Sequence, residues 1–215
     1  MTAQVVADDA DGRERAVEVL RAGGVVALPT DTVYGIAVAL TTPHGIERLF
    51  HVKRRPPDRA IMLLLADTIQ AGEAGVMTPA AGALADACWP GGLTLVVHQR
   101  PDVRWPAVLT GGAATIGLRV PAHDAPRALA RALGPLPTTS ANLSGLPEGT
   151  DAADIMDQLG EAIDLVLDGG PAHGGPASTI VDCTGPSPVI LRAGAVAPAT
   201  LAAILDAAGV EHGLS

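Results

Sequence analysis

Residues 25–35 read VVALPTDTVYG, a short apolar run that passes directly into a polar loop. Val25–Leu28 offers apolar side chains to both faces, which is typical of a strand buried in a parallel or mixed sheet. Ligands of open α/β sheets commonly bind beyond such strand ends. Thr32 and Tyr34 are then placed to present hydroxyls to a small substrate, although an ordinary turn with side-chain-to-backbone bonds explains the loop equally well.

Beyond this stretch, apolar strand-like runs alternate with amphipathic helical segments. Several predicted strands follow one another without a helix between them, such as Ser178–Asp182 and Val189–Leu191. This order favours an α/β fold with a twisted, mixed parallel and antiparallel sheet flanked by helices. We expect a single domain over residues 1–215. The predicted helices cover residues 11–22, 43–52 (with Thr42 as its cap), 79–88, 125–133, 151–160 and 198–208.

The composition of the chain restricts the classes of function that it can have. The 215 residues carry 14 basic and 23 acidic side chains, a formal net charge of −9, so the chain is a poor non-specific binder of nucleic acid. Cys88 and Cys183 lie among apolar or turn residues, which favours buried thiols over a disulfide or a catalytic thiol. Because no signal pattern and no apolar run of about 20 residues is present, we expect a cytoplasmic protein.

The stretch Lys53-Arg54-Arg55-Pro56-Pro57-Asp58-Arg59 is the densest basic cluster of this acidic chain. Lys53 is the only lysine, and arginine does not replace lysine where a compact ammonium is needed. Neighbouring cations repel one another unless an anion neutralises them, and two prolines stiffen the segment. The cluster therefore predicts a loop that holds phosphates, for which a solvated surface turn is an equal alternative.

Other candidate residues follow or lie within predicted strands. Ser140 and Asn142 are two residues apart, so in an extended segment they project together and suit a nucleotide or sugar edge, although a turn or capping role is the simpler explanation. Ser178 places a hydroxyl at a strand start. Arg119 and Arg192 lie among apolar strand residues, where a guanidinium needs an anion, either an internal acid or a substrate carboxylate or phosphate.

No Walker loop, dinucleotide fingerprint or Ser-His-Asp triad is present in the sequence, and the six histidines have no metal-ligand spacing. The candidate residues bind anions or hydroxyls, and no nucleophile stands out among them. This pattern indicates a reaction between bound substrates, in which positioning and charge stabilisation supply the rate.

Seven motifs in this order resemble the YrdC-like family of threonylcarbamoyl-adenylate synthases, over about residues 23–194. They are Pro29-Thr30-Asp31-Thr32-Val33-Tyr34-Gly35, Lys53-Arg54-Arg55-Pro56, Trp89-Pro90-Gly91-Gly92-Leu93-Thr94, Leu118-Arg119-Val120-Pro121-Ala122-His123, Thr139-Ser140-Ala141-Asn142-Leu143-Ser144-Gly145, Ser178-Thr179-Ile180-Val181-Asp182 and Leu191-Arg192-Ala193-Gly194. Each motif is weak alone, and the order of all seven is specific.

The resemblance implies a role for each matching residue. ATP would be bound by Lys53, Arg55, Arg59, Thr115, Ser140, Asn142 and Arg192. Threonine would be bound by Thr32, Arg119, Thr138 and Ser178. Lys53 and Arg55 would be catalytic, with Mg²⁺ on the phosphates of ATP. The implied reaction joins L-threonine, bicarbonate and ATP into threonylcarbamoyl-AMP and releases pyrophosphate, and a separate tRNA threonylcarbamoyl transferase complex would accept the product.

The chain departs from the family pattern at several positions. Ala60-Ile61 stands where many members have Pro-Leu, Leu64 where a histidine is common, and Gly92 where a proline is usual. The length resembles the short form of the family, without an extra C-terminal domain. Two alternatives stay open: a double-stranded RNA-binding module, with weak direct RNA contact, and a carbamoyltransferase like that of hydrogenase-maturation proteins.

Overall fold

The computed structural model describes residues 2–54, 60–172 and 175–214. Its helices are α1 (Ala10–Arg21), α2 (Gly45–Lys53), α3 (Thr68–Ala74), α4 (Pro79–Cys88), α5 (Ala107–Thr110), α6 (Asp124–Leu133), α7 (Ala152–Leu159) and α8 (Pro198–Ala207). Its strands are β1 (Gln4–Ala7), β2 (Val26–Leu28), β3 (Gly35–Ala37), β4 (Met62–Leu64), β5 (Gly75–Val76), β6 (Leu93–Gln99), β7 (Thr115–Arg119), β8 (Leu136–Ser140), β9 (Leu165–Asp168), β10 (Thr179–Asp182) and β11 (Val189–Arg192).

All the described strands belong to one sheet, in the order β1-β9-β2-β3-β8-β4-β7-β6-β10-β11, with β5 paired to β6 beside this path. The pairs β1/β9, β2/β9, β4/β7 and β6/β10 are parallel, and the other neighbours are antiparallel. The predicted mixed sheet flanked by helices is thus confirmed.

The two faces of the sheet are covered to different extents. On one face, α2, α4, α7 and α8 bury a large apolar cluster around Ile36, Leu63, Leu95 and Leu118. On the other face, α1 and α6 cover a smaller cluster that includes Leu28, Leu64 and Leu136. The strands continue past this second cluster, and the side chains on the same face there are Thr94, Arg119 and Thr138, which line a pocket.

Side-chain caps mark the starts of five helices. Asp9, Asp67, Thr78, His123 and Asp151 each accept a hydrogen bond from a backbone N–H of the first turn. Thr42 was expected to cap α2, and that expectation is wrong. His44 precedes α2 in the left-handed region at φ 58°, while the Thr42 hydroxyl donates to Leu20 O at 3.3 Å.

Most of the predicted elements exist within one or two residues of their expected bounds. Five elements were not predicted because they are short or have a weak apolar pattern, namely β1, β3, α3, β5 and α5. β3 matters most, because Gly35–Ala37 returns antiparallel to β2 and also pairs with β8. This pairing holds the threonine-rich loop 29–34 between β2 and β3, above the sheet face that carries the pocket.

Candidate functional site

A pocket of about 160 Å³ opens on the uncovered part of the sheet. This volume corresponds to roughly five water molecules and suits a ligand of amino-acid size, since pockets for drug-sized ligands are about 300 Å³ or more. The described residues that line it are Thr30, Thr32, Val33, Tyr34, Gly35, Ala60, Ile61, Met62, Leu64, Thr94, Arg119, Thr138, Thr139, Ser140, Glu148, Ala177, Ser178, Ile180 and Arg192. All four predicted threonine-binding residues are among them.

Arg119, at the end of β7, is the most buried charge of the pocket, with 2% of its side chain exposed. Its Nη2 donates to Asp31 Oδ1 at 2.7 Å, its Nη1 to Thr32 Oγ1 at 3.0 Å, and its Nε to Gly91 O at 3.0 Å. Burial lowers the pKa of Arg119, and Asp31 opposes this shift. The internal acid that the sequence left open as a partner of Arg119 is therefore Asp31.

The hydroxyls of the loop 29–34 form an ordered chain. Thr30 Oγ1 donates to Val33 O at 2.6 Å and accepts from Thr32 N at 3.1 Å, which holds the loop in a tight turn. Thr30 Oγ1 and Thr32 Oγ1 lie 3.2 Å apart. Because the Thr30 hydrogen is directed to Val33 O, Thr32 is the donor of this pair, and its oxygen accepts from Arg119.

Arg192, at the end of β11, lines the same pocket as Arg119, although it is exposed. Its Nη2 donates to Ser178 O at 2.8 Å and to Ser178 Oγ at 3.1 Å. Ser178 Oγ and Thr94 Oγ1 are 2.8 Å apart. The positive charge of Arg192 also lowers the pKa of Arg119, a smaller effect than burial, which places the two guanidinium groups in one electrostatic environment.

Lys53 is the last residue of α2 and is buried, with 3% exposed, so it does not lie in a basic loop as expected. Among the described residues, four acceptors on two residues lie within 3.3 Å of its Nζ. They are Ser140 O at 2.6 Å, Asn142 Oδ1 at 2.8 Å, Asn142 O at 2.9 Å and Ser140 Oγ at 3.3 Å. The predicted grouping of Lys53 with Ser140 and Asn142 is present, and Lys53 ties the end of β8 to α2.

The remaining predicted residues fall into three groups. Thr138 lines the pocket, and its hydroxyl donates to Leu136 O at 2.9 Å. Thr115 begins β7, four residues before Arg119, and it lies outside the described lining of the pocket, as do Lys53 and Asn142. Arg55 and Arg59 lie outside the described residues.

Tyr34 does not present its hydroxyl to the pocket, contrary to the expectation from the alternation of the loop. The hydroxyl donates to Gly170 O at 2.7 Å and accepts from Gly169 N at 3.1 Å. Tyr34 is nevertheless one of the residues that line the pocket. The ring packs in the larger apolar cluster, so the hydroxyl reaches the turn after β9 instead of solvent.

Several lining or supporting residues were not assigned a role from the sequence, among them Asp31, Met62, Thr94 and Glu148. Asp31 and Thr94 lie within the motifs but carried no assigned role, whereas Met62 and Glu148 lie outside them. The turn containing Glu148 has no pattern that distinguishes it from other polar turns. Met62 and Leu64 make one wall of the pocket apolar, and at Leu64 this replaces the polar histidine of the family pattern.

The described residues contain no group of three or more His, Cys, Asp or Glu side chains that could hold a metal ion. A Mg²⁺ ion that arrives on nucleotide phosphates does not require such a group, because Mg²⁺ usually keeps waters and substrate oxygens as ligands. No helix in the described ranges is long and apolar enough to cross a membrane.

Comparisons with known proteins point to one family. The family model Sua5/YciO/YrdC, described as telomere recombination, matches residues 18–194. The threonylcarbamoyl-AMP synthase of Bacillus subtilis (strain 168) is 36% identical over 203 residues, covering 94% of this chain and 58% of the relative. A relative from Mycobacterium tuberculosis (strain CDC 1551 / Oshkosh) is 39% identical over 199 residues, covering 91% of this chain and 90% of the relative.

The fold has a close structural match as well. The crystal structure of Pyrococcus abyssi Sua5 complexed with L-threonine superposes with a TM-score of 0.86 at 31% identity. The superposition covers 95% of this chain and 61% of that protein. The chain thus spans about three fifths of the Bacillus and Pyrococcus proteins and nearly the whole of the mycobacterial one.

Proposed function

The chain belongs to the Sua5/YciO/YrdC family, and from this we propose that it is an L-threonylcarbamoyladenylate synthase. In this proposal it is a nucleotidyltransferase that forms threonylcarbamoyl-AMP and pyrophosphate from L-threonine, bicarbonate and ATP. A separate tRNA threonylcarbamoyl transferase complex would use the product to modify tRNA. The names of the relatives support the reaction, and the pocket supports the amino-acid substrate.

The observation that carries the proposal is that Arg119 and Arg192 line one pocket of amino-acid size. Among the described residues, Arg119 is paired with Asp31, whereas Arg192 forms no salt bridge and Glu148, which also lines the pocket, is bonded to neither arginine. The unpaired Arg192 charge beside Arg119 favours an added anion, and an α-carboxylate has the planar shape that guanidinium groups bind well. The hydroxyls of Thr32 and Ser178 provide donors and acceptors for the polar atoms of threonine. The apolar wall at Met62 would accept its methyl group.

For the nucleotide we propose a position at the mouth of the pocket, because a pocket of about 160 Å³ is too small for ATP. Ser140 and Arg192 line that pocket and are also predicted ATP contacts, so they would face both substrates. Lys53 and Asn142, which contact Ser140, would bind ATP next to it. The family resemblance adds Thr115, Arg55 and Arg59 as further ATP-binding residues. Mg²⁺ would enter bound to ATP, as part of that substrate.

The chemistry needs no enzyme nucleophile. The threonine amine would add to bicarbonate-derived CO₂ and lose a proton to give a carbamate. A carbamate oxygen would then attack the α-phosphorus and form the new P–O bond, while the bond to the β-phosphate oxygen breaks and pyrophosphate leaves. The arginines would hold both anions together and offset the charge that develops on the phosphates.

The direct test is pyrophosphate release from ATP, with L-threonine and bicarbonate omitted in turn. The proposal expects release only when both are present, and EDTA should stop it by removing Mg²⁺ from ATP. Pyrophosphate release that continues without threonine would contradict the proposed function. No feature of the described residues favours the RNA-binding or the carbamoyltransferase alternative, and the net charge of −9 opposes RNA binding.

A further inference from the structure

Asp31 is the only carboxylate that forms a salt bridge with Arg119 among the described residues, and it does so at 2.7 Å with its own side chain 16% exposed. It belongs to the loop 29–34, whereas Arg119 ends β7, so the bridge connects two segments that are far apart in sequence. The loop is otherwise organised by the Thr30 hydroxyl, which contacts Val33 O and Thr32 N. Asp31 therefore joins an ordered loop to the most buried charge of the pocket.

The guanidinium of Arg119 has five N–H groups. Three of them donate to described residues, one each to Asp31, Thr32 and Gly91. These three bonds leave two N–H groups on a side chain that lines the pocket. The three bonds determine the direction in which the two remaining N–H groups point. Of the three acceptors, only Asp31 is charged, so the bond to Asp31 is the strongest of the three.

We propose that Asp31 is a positioning residue, whose carboxylate holds the Arg119 guanidinium in the orientation that presents its remaining N–H groups to the carboxylate of the bound amino acid. This inference rests on the proposed function, since it takes L-threonine as the ligand. The alternative effect of Asp31 is purely electrostatic. Its negative charge would then only weaken the attraction of Arg119 for a second carboxylate, and removal of that charge would strengthen binding.

Two variants separate position from charge. Asp31→Asn removes the charge and keeps an oxygen that accepts from Nη2 at the same place, so L-threonine affinity should stay within about fivefold of the wild type. Asp31→Glu keeps the charge and moves the carboxylate by one methylene, which should weaken L-threonine binding about tenfold or more, because displacements near 1 Å at such sites carry large penalties. Both variants are conservative enough that their folding can be checked by thermal unfolding.

The experiment is calorimetric titration of L-threonine into the full chain, followed by KM values for threonine and for ATP. A positioning role raises the threonine KM of Asp31→Glu and changes the ATP KM by less than about threefold. The matched control is Asp102→Glu, the same change in the exposed Arg100–Asp102 pair, which should leave both KM values unchanged.

Normal threonine binding by Asp31→Glu would overturn the positioning role of Asp31 and leave the proposed function standing. If Asp31→Asn then binds threonine more tightly, the effect of Asp31 is purely electrostatic. Failure of the wild-type chain to bind L-threonine would overturn the proposed function and, with it, this inference. Weak binding by Asp31→Glu together with near-normal binding by Asp31→Asn is the result expected.

Discussion

Lys53 shows how one side chain can have a structural role that its sequence context hides. Composition and the basic cluster predict that Lys53 lies in a loop that holds phosphates. The structure instead buries Lys53 at the end of α2, with its ammonium among the backbone and side-chain oxygens of Ser140 and Asn142. The lysine therefore holds the polar end of β8 in shape, whether or not it also contacts a phosphate. Arg54, the next residue, is exposed.

The first prediction concerns Lys53→Ala. The substitution removes the donor from buried acceptors on Ser140 and Asn142, so unfolding free energy should fall by about 2–3 kcal/mol in addition to any loss of activity. Urea denaturation measures the change. The neighbouring Arg54→Ala is the control and should shift stability by no more than about 0.5 kcal/mol. Unchanged stability of Lys53→Ala would show that water replaces the ammonium without cost.

The second prediction contrasts the two pocket arginines. Arg192→Ala removes an exposed guanidinium that has no acidic partner among the described contacts, so the fold should keep its stability while pyrophosphate release falls. Arg119→Ala leaves Asp31 without its buried cation and should destabilise the fold by about 3 kcal/mol or more. Thermal unfolding and pyrophosphate assays on both variants measure the contrast. Equal destabilisation by the two substitutions would contradict it.

At the scale of elements, the loop 29–34 is held at both ends. Asp31 and Thr32 accept hydrogen bonds from Arg119 on β7, and the Tyr34 hydroxyl is hydrogen-bonded to the Gly169-Gly170 turn after β9. Gly35 then lets β3 pass close to β8, because a Cβ there would lie 2.8 Å from Thr138 Cγ2. The loop is thus anchored by neighbouring strands, and its shape depends on contacts that are distant in sequence.

The third prediction uses Tyr34, the only tyrosine of the chain. Burial raises its pKa, and the nearby Asp168, Asp151 and Asp8 add smaller effects in the same direction, whereas the bond from Gly169 lowers it. The tyrosine absorbance change should therefore occur above the ordinary pKa of about 10 in the folded chain and return to about 10 in urea. The neutral hydroxyl favours the folded state, so this stabilisation is complete below pH 10 and is lost as pH rises through the folded pKa.

At the scale of the whole molecule, the pocket exists because the helices cover the sheet unequally. One face is covered by α2, α4, α7 and α8, whereas α1 and α6 cover only part of the other. The uncovered part carries hydroxyls and the two arginines, beside the apolar wall formed by Met62 and Leu64. Side chains from β4, β6, β7, β8 and the ends of β10 and β11 meet there, so residues from most of the chain contribute to one site.

The fourth prediction tests this packing through the cysteines, which are both free thiols. Burial raises the pKa of Cys183 to about 12, and burial also raises the pKa of Cys88. Native protein at pH 8 should react slowly with a disulfide reagent, at Cys88 before Cys183, and both thiols should react at once in denaturant. Fast reaction of Cys183 in the native state would show that the core around β10 opens readily.

Local pattern predicted most helices and strands, because apolar periodicity and capping residues act over a few positions. Pro79–Cys88 matches its predicted bounds, with Thr78 as cap and proline in the first turn. The short strands β1 and β3 were not predicted because segments of three or four residues show no clear hydrophobic periodicity. Their stability comes from pairing with other strands of the sheet. The prediction for the Tyr34 hydroxyl was wrong for a similar reason, since its partners Gly169 and Gly170 are 135 and 136 residues away.

The sequence by itself determined the fold class, the family resemblance and the candidates for anion-binding side chains. Those conclusions depend on residue type and order, which the chain displays directly. Only the tertiary structure decided that Asp31 is the partner of Arg119, that Lys53 is buried against Ser140 and Asn142, and that Arg192 and Arg119 share one pocket. Each of these contacts joins residues more than 70 positions apart, and packing of the whole sheet is what brings them together.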